Sequence, residues 1–528
     1  MKSTVRLTAF LLAGFSMCSL SLPLTASSAN AQVAPSASDA FAKHRTFAGW
    51  TAGDGTFKSW RFTAKAKSKL KRTDPRAEAV TVAYTLTEVR RGALYHDTES
   101  RDGTSLATDY GFSGRVFWDT NENGFVVTHY EDAVRADISV NTLFDDAIST
   151  YPATPHGTAK IGDTQVNVYR VTPTLGFPVD LYMDASGAYR RAVIAPDDSW
   201  TRFTIDIEGY IEPLPGKKVI GKFRSSGGTL YEITNFQPNA TVNDTDLVPP
   251  DPKATWSFGP PTKMPITVAV SSYVGRSVRV KASINGHEGM FLLDSGAGGC
   301  LIFGKYAQSV NLPKLAATSF SGINGNSEDA DLVMADDLSI AGSVLHNVVM
   351  QESPSQFEDI DGILGYDVLA AAIVEVDIAG RTLSVFDPDK YKPAVAQNAT
   401  EFTVDLTSRQ PAMDIKIAGT TDIKPIFDTG NDFNVMLSEE LRKSGKINPT
   451  ITGNIAFGGV DGTMVASVPC GRISQILIGP YRYENSSVCF ATNVGPTDGL
   501  VGFDFLRHFN WTFDYPDGKL ILTPNGLN

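Results

Sequence analysis

The chain has 528 residues, 42% hydrophobic and 20% charged, a globular composition that excludes collagen-like, coiled-coil and wholly disordered architectures. At roughly 150 residues per domain, that length suggests about three domains. A net charge of −12 argues against a nucleic-acid partner, and 46 Gly and 29 Pro alongside abundant Thr, Val and Tyr favour many short strands and turns, hence a mainly β protein.

At the start, Lys2 and Arg6 precede an apolar run from Leu7 to Leu22, and a small-residue site follows at Ala29-Asn30-Ala31. This reads as a signal peptide, residues 1–31, cleaved after Ala31. The run is interrupted by Ser, Gly, Thr and Pro and is short for a spanning helix, so a signal peptide is favoured over a membrane anchor. Cys18 follows Met17, which departs from the small-residue pattern of lipoprotein signals. The mature protein is then expected to be exported, periplasmic or extracellular, with 44 Lys and Arg against 58 Asp and Glu, net −14. No second apolar run is long enough to span a membrane, so no transmembrane helix is expected. Of the remaining cysteines, Cys300, Cys470 and Cys489, an oxidising compartment permits one pair, with Cys470 and Cys489 the favoured partners.

Residues 40–246 alternate short strand patterns with turn signals, for example Asn123-Gly124 and Ser186-Gly187, and read as one antiparallel sheet domain. Residues 247–265 contain six prolines, which suit a stiff extended linker rather than a central strand. Beyond the linker lies an internal repeat. Asp361-Gly-Ile-Leu-Gly-Tyr-Asp-Val-Leu369 matches Asp498-Gly-Leu-Val-Gly-Phe-Asp-Phe-Leu506, and continuing without a gap brings Asp377 opposite Asp514. Upstream, Asp294-Ser295-Gly296 and Asp428-Thr429-Gly430 each follow apolar residues, 67 residues before Asp361 and 70 before Asp498. Between them, Gly322 to Gly325 answers Gly459 to Gly462 as glycine-rich hairpin tips. Residues 266–388 and 400–528 are therefore expected to be two copies of one β-rich lobe.

An Asp-Ser/Thr-Gly tripeptide after a strand places a carboxylate on a tight turn, and a single occurrence is expected about once by chance in a chain this long. Two occurrences at matching places in a repeat carry far more weight. A pseudo-twofold relation between the lobes would bring Asp294 and Asp428 together. Two adjacent carboxylates share one proton, so the charged member can act as general base on a water while the protonated one donates to a carbonyl oxygen.

In these motifs the chain resembles the retropepsin-like aspartic peptidases over residues 266–528. The resemblance implies two tandem acid-protease lobes with Asp294 and Asp428 as the catalytic dyad, hydrolysing a peptide or protein substrate without cofactor or metal. Ser295, Gly296, Thr429 and Gly430 match the residues that support the dyad, and Gly322, Gly325, Gly459 and Gly462 match flap tips. Ile363-Leu364-Gly365 and Leu500-Val501-Gly502 match the segment packed behind each dyad loop. Because both halves are present in one chain, a monomer is expected. Asn431 stands where Ala is usual, and Asp432 is expected close enough to the dyad to raise its proton affinity. The N-terminal domain resembles LolA-like lipoprotein carriers in the segments 118–124 and 178–184. That likeness implies a half-barrel whose concave face could take a lipid or acyl ligand, the alternative being that this face is simply a core.

No His-Glu-x-x-His or Gly-x-Ser-x-Gly occurs, the seven histidines are scattered, and no His lies near Cys300 in sequence. Asp367 and Asp504 are read as N-caps of short helices. Residues 40–246 contain no second dyad, so a fragment lacking 32–255 is expected to keep its activity. The rival reading is a non-catalytic envelope protein that holds a peptide or lipid on an acid-protease fold without cutting it.

Overall fold

A computed structural model describes residues 35–70, 78–129, 132–198, 201–271, 275–321, 327–355, 357–418, 421–458, 464–492, 494 and 497–527. The expected signal peptide and the four flap glycines, Gly322, Gly325, Gly459 and Gly462, lie outside the described residues. The fold is mainly β and divides into two compact units. One comprises residues up to Thr120 together with Thr128–Pro250; the other comprises Asn121–Val127 and Asp251–Asn528.

The first unit is built on a 13-stranded antiparallel sheet, curled like a half-barrel, in which nearly every strand neighbours the next in sequence. Its strand Ser59–Leu70 shows why: Trp60, Phe62, Ala64, Ala66 and Ser68 are buried, and the residues between them face outward, Lys65, Lys67 and Lys69 among them. That period of two fixes the register, since a one-residue slip would bury the lysines. Helix Asp132–Phe144 contributes Ala136, Val140 and Leu143 to the core that also holds Trp60, Phe62 and Tyr95. The spacing of four and three residues places them on one helix face.

This core also buries charge. The Arg90 guanidinium lies over the rings of Trp60 and Tyr95, at 5.4 and 4.6 Å, and donates to Glu88 at 2.8 Å and to Asn141. Asp97, paired across strands with Glu88, is wholly buried with neither carboxyl oxygen hydrogen-bonded. Burial, reinforced by the Glu88 charge, holds its carboxyl well above the usual range. Burial likewise pushes Glu99 and Asp137 up to about 7, partly opposed by hydrogen bonds from Tyr231 and Tyr95 respectively.

In the second unit the repeat is visible in the backbone bonding. Strand His287–Leu293 runs parallel to Gly362–Leu364, with Leu293 opposite Leu364; Ile426–Phe427 runs parallel to Gly499–Val501, with Phe427 opposite Val501. These are the same columns of the sequence repeat. The repeated residues carry matching roles: Asp361 accepts from Met290 N–H at 2.8 Å and Asp498 from Lys424 N–H at 2.9 Å, each four residues before a dyad aspartate. Asp377 and Asp514 both close turns, accepting from Gly380 and Asp517 N–H. Gly365 and Gly502 face the preceding loop so closely that a Cβ would lie 2.3 Å from the Gly299 carbonyl oxygen and 2.1 Å from that of Phe433. The copies join where Ile373–Asp377 pairs antiparallel with Phe509–Asp514.

Three expectations need correction. Gly365 and Gly502, not the aspartates that follow, occupy the N-cap positions of helices Tyr366–Leu369 and Phe503–Leu506, and neither helix has a side-chain cap. The proline-rich segment is not wholly a linker, because Thr255–Ser257 pairs with Ser343–Ser353 and Met264 with Leu383. Asn121–Val127 belongs to the second unit, so a fragment lacking 32–255 would lack part of that unit's own structure. The pair Cys470 and Cys489 sits directly cross-strand and forms a disulfide, while Cys300 is free and buried.

Candidate active site

Each Asp-Ser/Thr-Gly turn leaves its strand at the point where the parallel partner ends. Asp294 N–H donates to the Leu364 carbonyl at 3.0 Å, and Asp428 N–H to that of Val501 at 2.9 Å. Within each turn the carboxylate accepts from the glycine two residues on, Gly296 N–H to Asp294 at 2.8 Å and Gly430 N–H to Asp428 at 2.9 Å. These bonds are local and follow from the tripeptide itself.

The hydroxyl residues then tie one turn to the other. Ser295 Oγ donates to the Phe427 carbonyl at 2.6 Å and accepts from Thr429 N–H at 3.1 Å. Thr429 Oγ1 donates to the Leu293 carbonyl at 2.8 Å and accepts from Ser295 N–H at 3.0 Å. All four bonds are buried, and each hydroxyl is used as both donor and acceptor. The two carboxyl groups are close enough for each to act on the other's ionisation. The approach is close enough that a Cβ on Gly296 would lie 2.4 Å from the Asp428 carboxyl carbon, and one on Gly430 would lie 2.4 Å from that of Asp294. Only glycine fits beside each carboxylate.

The two aspartates are not electrostatically equivalent. Burial raises the Asp294 carboxyl, but bonds from Asp428 and from the Gly296, Ala297 and Gly430 amides counteract it. Asp428 is raised well above the ordinary range by burial and then by the neighbouring Asp294 carboxyl. The two carboxyls titrate as one unit that holds a single proton between them.

Asp432 lies four residues beyond Asp428, past the second turn. Its carboxyl is raised by burial and by Asp504, and Arg276 opposes the rise. Asp504 itself is exposed and paired with Arg276 at 3.0 Å.

Two neighbours carried no sequence signal. Gln410 donates its side-chain amide to the Gly296 carbonyl, bracing the first turn from the second repeat. Tyr515 is buried with its hydroxyl unpaired, and both dyad carboxyls contribute, after burial and Tyr366, to raising its ionisation. Among the described residues no three His, Cys, Asp or Glu side chains converge as metal ligands.

A family model described as aspartyl protease matches residues 280–368, a span that includes Asp294 and ends before Asp428. That region is aspartyl protease-like. No curated protein matches the chain. A solved structure of a DUF1329 family protein from Desulfovibrio piger ATCC 29098 is similar at 12% identity, covering 40% of this chain and 95% of that one, with a TM-score of 0.28.

Proposed function

We propose that the protein is an exported aspartic endopeptidase whose site is assembled in one chain from two tandem retropepsin-like lobes, residues 266–388 and 400–528. The observation that carries this reading is the close approach of the Asp294 and Asp428 turns, each glycine lying against the opposite carboxyl, held by the reciprocal Ser295 and Thr429 brace. A binding cleft has no use for two carboxyls forced to share a proton, whereas hydrolysis has. The charged carboxyl of the pair takes a proton from a water held between Asp294 and Asp428, and the protonated carboxyl donates to the substrate carbonyl oxygen. The water oxygen bonds to the carbonyl carbon, giving a neutral tetrahedral diol with no covalent link to the protein. In the collapse of the diol the now protonated carboxyl gives its proton to the departing nitrogen as the C–N bond breaks, and the other carboxyl takes the proton of one diol hydroxyl, whose oxygen becomes the carbonyl of the acid product, so the dyad again holds one proton in its starting arrangement. The unit acts as a monomer, and the curled sheet of the N-terminal unit supplies recognition or tethering, including a face for a lipid or acyl ligand.

The test is incubation of the purified protein with an unfolded protein substrate between pH 4 and 7, with new termini mapped by mass spectrometry. The reading expects defined internal cleavages. Saturable binding without any new terminus would instead assign the cleft to binding alone.

A further inference from the structure

The equivalent aspartates Asp367 and Asp504 occupy the same column of the repeat but meet opposite surroundings. Asp504 is exposed between Arg276 and Arg507. Asp367 is buried, with one oxygen accepting from Cys300 N–H at 2.7 Å and the other from the side-chain amides of Asn121 at 2.7 Å and Asn123 at 2.9 Å. Cys300 closes the loop that begins at Asp294, and Ala297 in the same loop accepts from Tyr366 N–H at 3.0 Å. Asp367 therefore anchors the far end of the loop that presents Asp294.

Both asparagine amides are oriented by backbone partners. Asn121 Oδ1 accepts from the N–H groups of Asn123 and Phe125, at 3.1 and 3.0 Å, which leaves its NH₂ to face Asp367. Asn123 pairs with Val349 as a strand would, accepting from its N–H at 2.7 Å and donating to its carbonyl at 3.0 Å. Along that edge of Ser343–Ser353, Thr255–Ser257 pairs with residues 344–346 and Leu301–Phe303 with residues 351–353. Asn123 fills the gap between them, and its own carbonyl accepts from Lys253 and Ala254 N–H at 2.9 and 3.0 Å. Phe125 and Val127 are buried in the core that also holds Val348 and Leu364. The second repeat differs here: Ser487, which the register aligns with Val349, is exposed.

We propose that Asn121 and Asn123 are positioning residues for the site, holding the Asp367 carboxylate against Cys300 N–H and thereby fixing the loop that carries Asp294. The segment Asn121–Val127 is thus a dedicated clamp on one of two otherwise equivalent loops, contributed by chain far from both Asp-Ser/Thr-Gly turns. Titratable groups facing Asp367 are Glu122, whose charge opposes its ionisation, and the buried Cys300 thiol. Burial raises the Asp367 carboxyl to about 6, and the two amides and Cys300 N–H keep it from rising further. A buried carboxylate deprived of both amides takes up a proton near neutral pH and weakens as an acceptor.

The experiment compares the full-length protein with the Asn121→Ala/Asn123→Ala variant and, as a repeat-matched control, Asp504→Ala. Hydrogen exchange is read by mass spectrometry over residues 295–303 and over the equivalent 429–438, together with maleimide labelling of the Cys300 peptide. Expected is faster exchange and labelling at 295–303 by about tenfold or more, the scale of losing one hydrogen bond to a buried charge. Residues 429–438 should stay unchanged in the same variant. The loosening should also depend on pH, with its midpoint at least about one unit higher than in the unaltered protein. Asp504→Ala should leave both loops as they are. Unchanged protection at Cys300, or an equal rise in both loops with no pH midpoint, would overturn the proposal. The clamp rests on the dyad reading only for its consequence in catalysis, where kcat should fall with KM preserved. Exchange and labelling need no activity, so loss of the clamp and failure of the peptidase reading are separable.

Discussion

Replacing Thr429 by Val tests the brace with almost no change of volume. The substitution removes the hydroxyl that bonds the Leu293 carbonyl at 2.8 Å and the Ser295 N–H at 3.0 Å, and leaves both backbone groups buried without partners. At about 1–3 kcal/mol for each orphaned group, the expected loss is about 2–6 kcal/mol from the unit that contains the dyad. Ser295→Ala should cost a similar amount by stranding the Phe427 carbonyl and the Thr429 N–H. Because both variants open the same interface, the double variant should cost less than their sum, by about 0.5–3 kcal/mol. The two compact units need not unfold together, so denaturant dependence of hydrogen exchange in His287–Leu293 and Ile426–Phe427 is the suitable assay, with Ser59–Leu70 as internal reference. A loss below about 0.5 kcal/mol in Thr429→Val, or strict additivity with Ser295→Ala, would refute the idea that the hydroxyls join the turns.

Gly296→Ala and Gly430→Ala each place a methyl 2.4 Å from the opposite carboxyl carbon, so each should displace the opposing aspartate and lower turnover by about 100-fold or more while the fold persists; near-normal rates would contradict the dyad geometry. In the N-terminal unit, Glu99 and Asp137 are protonated in the folded state up to about pH 7 but ionise near pH 4 when unfolded. Their contribution to stability is therefore complete below about pH 4 and lost as pH rises to about 7; denaturation midpoints across that range should fall, and fall less in Glu99→Gln/Asp137→Asn. Opening the Cys470–Cys489 disulfide, which spans 19 residues, should cost about 3 kcal/mol in the second unit, measured by denaturation of Cys470→Ala/Cys489→Ala.

The site was legible in the sequence because the repeat exposed it. Two Asp-Ser/Thr-Gly turns and their downstream partners recur in order, and most repeated columns proved to be backbone requirements: carboxylates that bind a strand N–H, glycines that face a carbonyl, an aspartate that closes a turn. Such roles are local and recur with the sequence. What sequence reading could not reach was long-range pairing. Asn121 and Asn123 looked like a hairpin tip, and nothing in that stretch points to a carboxylate 246 residues away from Asn121. Asp367 and Asp504 occupy one column, so an N-cap seemed to explain both, yet one is buried beneath amides and the other pairs with arginines in solvent. Gln410 reaches the first turn by a hydrogen bond to the Gly296 carbonyl across 114 residues of chain, which no local pattern announces.

The central claim is that Asp294 and Asp428 act as one catalytic unit, and turnover of an unfolded protein substrate by Asp294→Asn, Asp428→Asn and the double variant measures that most directly. Each single change should reduce the rate by about 1,000-fold or more without altering the circular dichroism of the protein, and the double variant should be scarcely slower than either, because a half-dyad cannot divide the two proton transfers. Substantial turnover by either single variant, or losses that multiply in the double, would contradict the account.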